Sequence, residues 1–483
     1  MLFNSLDFAY FLILAFACFY VFTFVTKRFF GRTDLKWIPI AAASAYFYLC
    51  SGFGYMMLML LAIVITFFCG IAMEKVGKHR RKWVLCATLV TCLGILFTFK
   101  YLGFFTNNAN SLLSLLGVDA RIPLVQLMLP VGISFYTFQT LSYVIDVYRG
   151  TTPAEHHFGK YFAFIAFFPQ LVAGPIERSD NLLPQIKTEV RFRYAEVVSG
   201  LRLMLWGFFK KMVIADNLAT HVNLIYETPQ EHTGWPLIIA TVFFAFQIYC
   251  DFSGYSDIAI GVGRLFGIRL MRNFNSPYLS ASLKEFWSRW HISLSTWFKD
   301  YVYIPLGGNR ISAFRTSLNL FITFLVSGFW HGASWNFVIW GGLHGLFQVI
   351  EKHFPKKLTS KIPHFIKVIV LFAFVCITWV FFRAETFSDA IYILTHMFDF
   401  SATSDGIFKF LLTLHLEAFD ALCYVGFLAM LMVFDGCNKS EKGKKLLFGM
   451  PRPVRWCLYA VIAIIIFTFM PIENKSSFIY FQF

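Results

Sequence analysis

One histidine of this sequence, His331, lies where it could act as a general base. It stands in a Phe-Trp-His-Gly run at a break in the uncharged stretch 316–350. At about 1.5 Å per residue, a helix over 316–329 is shorter than the roughly 30 Å of hydrocarbon in a bilayer, so we expect His331 inside the membrane on irregular backbone. Backbone of that kind requires a protein or water-filled surrounding, and an ionisable residue there indicates function. A histidine that only hydrogen-bonds between helices fits this pattern equally well.

Two further histidines are candidates. His291 follows Arg289 and Trp290, and this mixture of charged and aromatic residues predicts an interfacial residue that faces solvent. His344 lies in the glycine-rich run 341–345, where small residues let helices approach closely, so we expect a packing role.

Two aspartates, Asp251 and Asp257, end an otherwise apolar stretch. Carboxylates within a membrane can couple proton transport, so this segment is compatible with a transporter. They could equally cap a broken helix or orient a histidine, with Gln247, Tyr255 and Ser256 as hydrogen-bonding partners. The pattern leaves these alternatives open.

The composition indicates what must position these residues. Of 483 residues, 58% are hydrophobic and only 14% charged, with a mean hydropathy of +0.62. A soluble domain carries about 25% charged residues, so this chain has too little polar surface to be one. A spanning helix needs roughly 20 apolar residues, and many such runs occur between the charges. The sequence therefore predicts an all-α, multi-pass membrane protein.

The net charge of +15 comes from short basic clusters between apolar runs, at 27–36, 75–82, 352–361 and 439–455. This arrangement is typical of cytoplasmic loops under the positive-inside rule and not of a nucleic-acid surface. Ten cysteines are present without a CxxC motif or a Cys/His ligand spacing, so we predict neither disulfides nor a metal site.

Charge-free stretches predict about eleven or twelve crossings, with both termini outside the cytoplasm. Residues 161–176 contain Pro169, Gly174 and Pro175 and are expected to be re-entrant, whereas 282–310 should lie at the interface. The segments 101–120 and 221–232 should be outward loops. The expected spans are 8–26, two within 37–73, 83–99, 122–145, 197–213, 235–250 and beyond, two within 316–350, 368–382, 421–434 and 456–472.

Ordered motifs across the chain resemble the membrane-bound O-acyltransferase family, and within it the bacterial branch that modifies alginate, peptidoglycan and teichoic acids. The resemblance covers nearly the whole chain. It rests on the first five residues and on the segments 168–178, 251–257, 285–295, 303–310 and 329–332.

The resemblance implies one membrane domain over 1–483 with a motif-bearing core at about 161–350. Its helices would form a ring around a central thin spot, where a funnel from each side meets the catalytic histidine. His331 matches the family's base, and His291 matches an upstream position that could orient the acceptor or stabilise an oxyanion. Donor or acceptor positioning is expected, in addition, from Trp290, Lys299, Arg310, Trp330, Asp251 and Tyr255.

The function implied is transfer of an acyl group, most simply acetyl, from a cytoplasmic thioester such as acetyl coenzyme A to an extracytoplasmic polysaccharide at a bacterial inner membrane. No bound cofactor, metal or nucleic acid is expected. The outward segments near 102–121 and 383–417 are too short to fold around a polymer, since domains rarely fall below about 50 residues. We therefore expect an extracytoplasmic partner, an esterase-like acetyltransferase of the SGNH type. A proton-coupled transporter and a non-catalytic scaffold remain alternatives.

Overall fold

A computed structural model describes residues 1, 3–125, 127–172, 174–189, 191–355, 360–401, 416–471 and 478–479. In these residues the regular structure is entirely helical, as predicted. The chain divides into two compact units, and we describe each by itself. The first comprises Met1–Met204 with Ile258–Met271, and the second Leu205–Asp257 with Arg272–Phe483.

The first unit is built from apolar helices with short, capped ends. Ser5 caps the first helix by accepting a hydrogen bond from the backbone of Phe8, and Gly31 ends it in the left-handed conformation that glycine adopts without strain. The helices are α1 (Leu6–Phe30), α2 (Trp37–Leu49), α3 (Phe53–Lys75), α4 (Lys78–Lys100), α5 (Leu102–Leu115), α6 (Ile133–Arg149), α7 (Phe158–Ile165), α8 (Phe168–Leu171), α9 (Ser179–Lys187) and the start of α10 (Tyr194–Phe208).

Most of the predicted spans in this unit are confirmed as helices, with differences at their ends. The turn expected within 37–73 separates α2 from α3, and the predicted re-entrant segment forms the two short helices α7 and α8. The predicted span over 122–145 is wrong at its start, because α6 begins only at Ile133. Pro123 and Pro130 lack the backbone N–H that a helix interior requires. Residues 101–120 also contain helix α5, which charge alone did not predict.

The segment that follows α8 is anchored through Glu177, which is fully buried. Its carboxylate accepts hydrogen bonds from the Met271 backbone and from the side chain of Asn181. Burial raises the pKa of Glu177 to about 7, and the Met271 hydrogen bond opposes this shift. Ala173 of the same segment lies outside the described residues.

The second unit carries the long helices on which the candidate site residues lie. Its helices are the end of α10, a π-helix (Phe209–Ala215), α11 (Asp216–Tyr226), α12 (Trp235–Leu265, up to residue 257), α13 (Leu283–Arg289), α14 (Ile292–Phe298), a second π-helix (Lys299–Tyr303), α15 (Ala313–His331), α16 (Trp335–His353), α17 (His364–Arg383), α18 (Phe387–His396), α19 (Ala418–Lys439), α20 (Glu441–Phe448) and α21 (Arg452–Phe469).

Two sequence-based expectations for this unit are wrong. The outward loop predicted to begin at residue 221 begins after Tyr226, because α10, the π-helix and α11 run on without a break. The alternative that Asp251 and Asp257 cap a broken helix is also wrong, because both residues lie inside α12. Both errors have one cause. Local hydropathy does not distinguish a polar residue that is buried inside a helix from one that follows the end of a helix.

Seven described helices are long and apolar enough to cross a membrane: α1, α3, α4, α12, α17, α19 and α21. The predicted eleven or twelve crossings exceed this number. Helices α15 and α16 have 19 residues each, about 28 Å at the α-helical rise, so their length is sufficient. Buried polar residues such as Asn319, Asn336 and His344 lower their hydropathy.

Glycines bring α15 and α16 into direct backbone contact. A Cβ on Gly328 would lie 2.3 Å from the carbonyl oxygen of Phe337, and one on Gly341 would lie 2.5 Å from that of Phe324. Only glycine permits this approach. The predicted break in 316–350 is confirmed, and it comprises residues 332–334.

Candidate active site

His331 is the last residue of α15 and is almost fully buried, with 3% of its surface exposed. The expectation that it lies on irregular backbone is wrong, because the irregular residues begin at Gly332. Its Nδ1 lies 2.7 Å from the carbonyl oxygen of Ser327, one turn earlier. A carbonyl oxygen only accepts, so Nδ1 must donate, and in the neutral ring Nε2 carries the lone pair. This is the form that a general base requires.

Aromatic rings surround the imidazole of His331. The centroids of Trp330, Trp340 and Phe382 lie 4.9, 4.8 and 5.6 Å from its own, all in edge-on geometry. Such a lining excludes water and lowers the local dielectric, which strengthens every polar interaction with a reacting group.

His291 is completely buried, so the expectation of a solvent-facing residue is wrong. It directly precedes α14 in the left-handed backbone conformation (φ 44°, ψ 55°), which is uncommon for a non-glycine residue and is often found at functional sites. Its ring meets Phe252 edge-on at 4.6 Å. Helix α12 therefore supplies one wall of the His291 pocket.

Asn273, which the sequence did not single out, holds the turn at His291. Its backbone carbonyl accepts from the amide of Ile292 at 2.9 Å. Its side-chain Oδ1 accepts from both the amide and the hydroxyl of Ser293, at 3.2 and 2.6 Å, and its Nδ2 donates to Ser256 at 3.3 Å. These bonds stabilise the backbone on both sides of His291. No motif signal could have found Asn273, because its partners are remote in sequence.

The structure brings His291 and His331 to the same indole. The ring of Trp330 lies 6.3 Å from His291 and 4.9 Å from His331 between centroids. Trp290 is also buried and stacks on Phe286 at 5.5 Å. Two histidines beside one buried indole can divide the tasks of taking a proton and orienting a substrate.

His344 belongs to the same aromatic cluster. It is fully buried on α16, its Nδ1 accepts a hydrogen bond of 3.3 Å from the indole N–H of Trp287, and its ring lies 4.9 Å from that of Trp340. Sequence reasoning assigned this residue to packing alone and did not predict its polar neighbours.

The aspartates of α12 are paired with lysines. Lys211 contacts Asp251 at 2.6 Å and Asp216 at 2.7 Å, and Lys210 contacts Asp257 at 2.6 Å. These lysines were not among the partners that the sequence suggested for the carboxylates.

Both lysines lie on the first π-helix, whose wider turn is frequent at functional sites. Gly254 lets α12 approach it, since a Cβ there would lie 3.0 Å from the backbone nitrogen of Lys211. Removing one partner of a buried ion pair costs about 3–5 kcal/mol, so these residues hold α12 in place. Tyr255, one turn after Asp251, packs its ring on Phe478 at 4.9 Å.

A cavity of about 600 Å³ lies beside α15. Its lining includes the exposed residues Lys284, Lys299 and Lys352 and, on α15, Ser327, the hydrogen-bonding partner of His331. Neither His291 nor His331 is part of the lining. Arg310, which sequence reasoning grouped with Lys299, is exposed and is also not part of it. A larger groove of about 1170 Å³ between α1 and α2 is mainly apolar and contains no histidine.

Comparison with known proteins assigns this arrangement to a family. The model of the membrane-bound O-acyltransferase (MBOAT) family matches residues 151–385. The probable alginate O-acetylase AlgI of Pseudomonas aeruginosa is 41% identical over 363 residues, which is 74% of this chain and 69% of the relative. The peptidoglycan O-acetyltransferase of Helicobacter pylori is 34% identical over 396 residues, which is 76% of this chain and 74% of the relative.

A more distant match is the teichoic acid D-alanyltransferase of Bacillus subtilis, 28% identical over 276 residues, which is 53% of this chain and 69% of the relative. Two relatives above 30% identity are thus matched over more than two thirds of their own length. With its multiple apolar helices and its buried histidines, this chain belongs to the membrane-bound O-acyltransferase family and is an acyltransferase.

Proposed function

We propose that the chain moves an acetyl group from a cytoplasmic thioester to a hydroxyl group, with His331 as the general base. The observation that carries this proposal is the hydrogen bond from Nδ1 of His331 to the Ser327 carbonyl oxygen. It holds the ring in the tautomer whose Nε2 can accept a proton. His291, beside the same indole, orients the hydroxyl group.

In the proposed reaction, the hydroxyl oxygen attacks the carbonyl carbon of the thioester while its proton moves to Nε2 of His331. The carbonyl π electrons move onto oxygen and form a tetrahedral intermediate. When the intermediate collapses, the C–S bond breaks and the thiolate takes the proton back from His331. The products are an ester and a free thiol. General-base assistance of this kind contributes about a hundred to ten thousand-fold.

The cavity beside α15 is the proposed donor site. Its volume of about 600 Å³ lies within the range of roughly 300–1,000 Å³ typical of ligand pockets. Three lysines at its exposed side suit a phosphate-bearing thioester, for which acetyl coenzyme A is the simplest choice. Ser327 places one part of this cavity a single helical turn from His331.

The acceptor is proposed from the relatives, whose names specify O-acetylation of alginate and of peptidoglycan. We infer that this chain serves an extracytoplasmic polysaccharide from a bacterial inner membrane. A buried histidine cannot easily reach a bulky polymer. We therefore propose that the acetyl group passes first to the serine of a separate SGNH-type acetyltransferase, which then modifies the sugar.

The central test is the acetyl-ester content of the polymer in cells that express His331→Ala or His331→Asn. Both variants should lose acetylation. Asn can still donate to the Ser327 carbonyl but has no Nε2 lone pair, so this variant separates the base from the packing role. His396→Ala, at a partly exposed histidine of α18, is the matched control and should keep activity. Wild-type acetylation by His331→Asn at equal expression would exclude His331 as the base.

The relay and the role of His291 are tested separately. His291→Ala should reduce acetylation severely while leaving a measurable residue of activity, and full activity would remove His291 from the site.

Vesicles that contain only this chain, with acetyl coenzyme A inside and polymer outside, should not acetylate the polymer. Efficient acetylation without a second protein would overturn the relay while leaving the acyltransferase itself intact.

A further inference from the structure

Two buried N–H groups of α16 lack a hydrogen-bond acceptor among the described residues. They are Nε1 of Trp340 and Nε2 of His344, and both side chains are fully buried. The two residues are one helical turn apart, so their side chains are neighbours on one face of α16, with ring centroids 4.9 Å apart.

The tautomer of His344 follows from its other nitrogen. The indole N–H of Trp287 can only donate, and it lies 3.3 Å from Nδ1 of His344, so Nδ1 must carry the lone pair. The proton of the ring therefore sits on Nε2, and Nε2, like Nε1 of Trp340, is a donor. An unpaired buried donor is destabilising, and such groups in a native structure require an explanation.

The position of this pair beside the base supplies an explanation. The ring of Trp340 lies 4.8 Å from that of His331, and the glycine contact between α15 and α16 fixes the two helices against each other. We propose that Nε1 of Trp340 and Nε2 of His344 form a binding site for the carbonyl oxygen of the acyl donor. The inference rests on the proposed function and adds the residues that would hold the acyl group.

In this role the two donors stabilise the charge that develops on oxygen. When the acceptor attacks, the C=O π pair becomes a lone pair on an oxyanion, and it returns to the C=O bond as the thiolate leaves. Fixed donors in a site without water need no reorganisation, and removal of one such donor typically costs about a hundred to a thousandfold in kcat. His291, beside Trp330, is then left with the acceptor.

The proposed binding site is tested with variants that remove or replace the hydrogen-bond donor at Trp340 or at His344. Trp340→Phe keeps an aromatic ring but removes the N–H. His344→Asn keeps an acceptor for Trp287 and removes the far donor, whereas His344→Gln places an amide N–H at the far position. Trp379→Phe is the matched control. This fully buried tryptophan stacks on Trp340 at 5.8 Å, and its N–H already donates to Tyr278 at 3.2 Å.

Donor turnover is measured in membrane vesicles from cells that contain the full chain, the proposed SGNH-type partner and the polymer. The donors are acetyl coenzyme A and its dithioester analogue, in which sulfur replaces the carbonyl oxygen. Sulfur is a poor hydrogen-bond acceptor. For the oxygen donor we expect kcat to fall by about a hundredfold in Trp340→Phe and in His344→Asn, with KM changed less than about twofold. His344→Gln should recover part of the loss, and Trp379→Phe should stay near wild type.

With the dithioester, kcat of the wild type should already be low, because sulfur accepts only a weak hydrogen bond from Nε1 of Trp340. Trp340→Phe should therefore lower kcat for this donor by less than about fivefold. Equal losses with both donors would indicate a structural role and overturn the inference, as would wild-type kcat in both variants. Failure of the proposed function looks different, because wild type would then turn over neither donor.

Discussion

His331 and Ser327 lie one helical turn apart, and this spacing decides which nitrogen of the imidazole carries its proton. The proposed base is therefore prepared by its own helix, whose backbone sets its tautomer. His291 is different. Its left-handed backbone conformation depends on Asn273, whose side chain holds the first residues of α14.

At this scale we predict that Asn273→Ala lowers activity. Loss of the acceptor for the amide and hydroxyl of Ser293 removes two hydrogen bonds at this turn, each of which contributes about 0.5–1.5 kcal/mol. We expect a drop in acetylation of about tenfold or more, measured at equal protein level, because the turn that carries His291 relaxes. Asn273→Asp keeps the accepting oxygen and should retain most activity.

Ser256→Ala is the matched control, since it removes only the 3.3 Å bond to Nδ2 of Asn273. If Ser256→Ala loses as much acetylation as Asn273→Ala, the hydrogen bond from Asn273 to Ser256 on α12 supports activity, and the prediction about the turn at His291 is wrong.

At the scale of elements, the hairpin of α15 and α16 unites the base with the proposed acyl-oxygen site. His331 ends one helix, and Trp340 and His344 lie on the other. Their separation depends on the Gly328–Gly341 contact, where a Cβ on either residue would lie 2.9 Å from the other's Cα. Small residues at a crossing point let membrane helices pack by direct backbone contact.

We predict that Gly341→Ala separates the two helices and reduces both stability and activity. The new methyl group would lie 2.5 Å from the Phe324 carbonyl oxygen, and overpacking of this kind costs about 1–3 kcal/mol. Thermal unfolding of the detergent-solubilised protein should show a lower midpoint.

The neighbouring Gly342 is the control for this substitution. A Cβ at Gly342 meets only Leu325, at 3.8 Å, and alanine favours a helix over glycine by up to about 1 kcal/mol. Gly342→Ala should therefore be as stable as wild type or more so. Equal destabilisation by both variants would contradict the role of the contact.

At the scale of the whole molecule, the basic clusters predict which loops face the cytoplasm. The turn between α3 and α4, residues 352–361 after α16, and the region 439–455 around α20 should all be cytoplasmic by the positive-inside rule. Lys356 and Lys357 of these clusters lie outside the described residues. The acidic segment near Glu231 and the end of α5 should lie on the opposite side.

Single-cysteine labelling in intact cells tests this topology. After the ten native cysteines are replaced, a membrane-impermeant thiol reagent should label cysteines at Val118 and Glu231 but not at Gly77, Lys361 or Lys442. All five positions are exposed or half-buried, so accessibility within the fold does not limit labelling. Labelling from outside at two of the three basic positions would reverse the proposed orientation.

The sequence by itself determined the class of this protein and the approximate position of most of its long apolar helices. Membrane helices depend on the hydropathy of contiguous residues, a local property, so α1, α3, α12 and α17 could be predicted from composition. The break that follows His331 could be predicted for the same reason, because a long uncharged run with small residues in its middle must turn back. The family likewise follows from ordered motifs.

Only the tertiary structure decided what each polar residue does. His291 is buried, not solvent-facing, and Asp251 is neutralised by Lys211, forty residues earlier in the chain. Asn273 and the donors of Trp340 and His344 likewise depend on partners from other elements. Burial and hydrogen bonding of a side chain depend on which helices pack around it. Local composition contains no information about those long-range contacts, and for this reason the chemistry of the site could not be predicted from residue types alone.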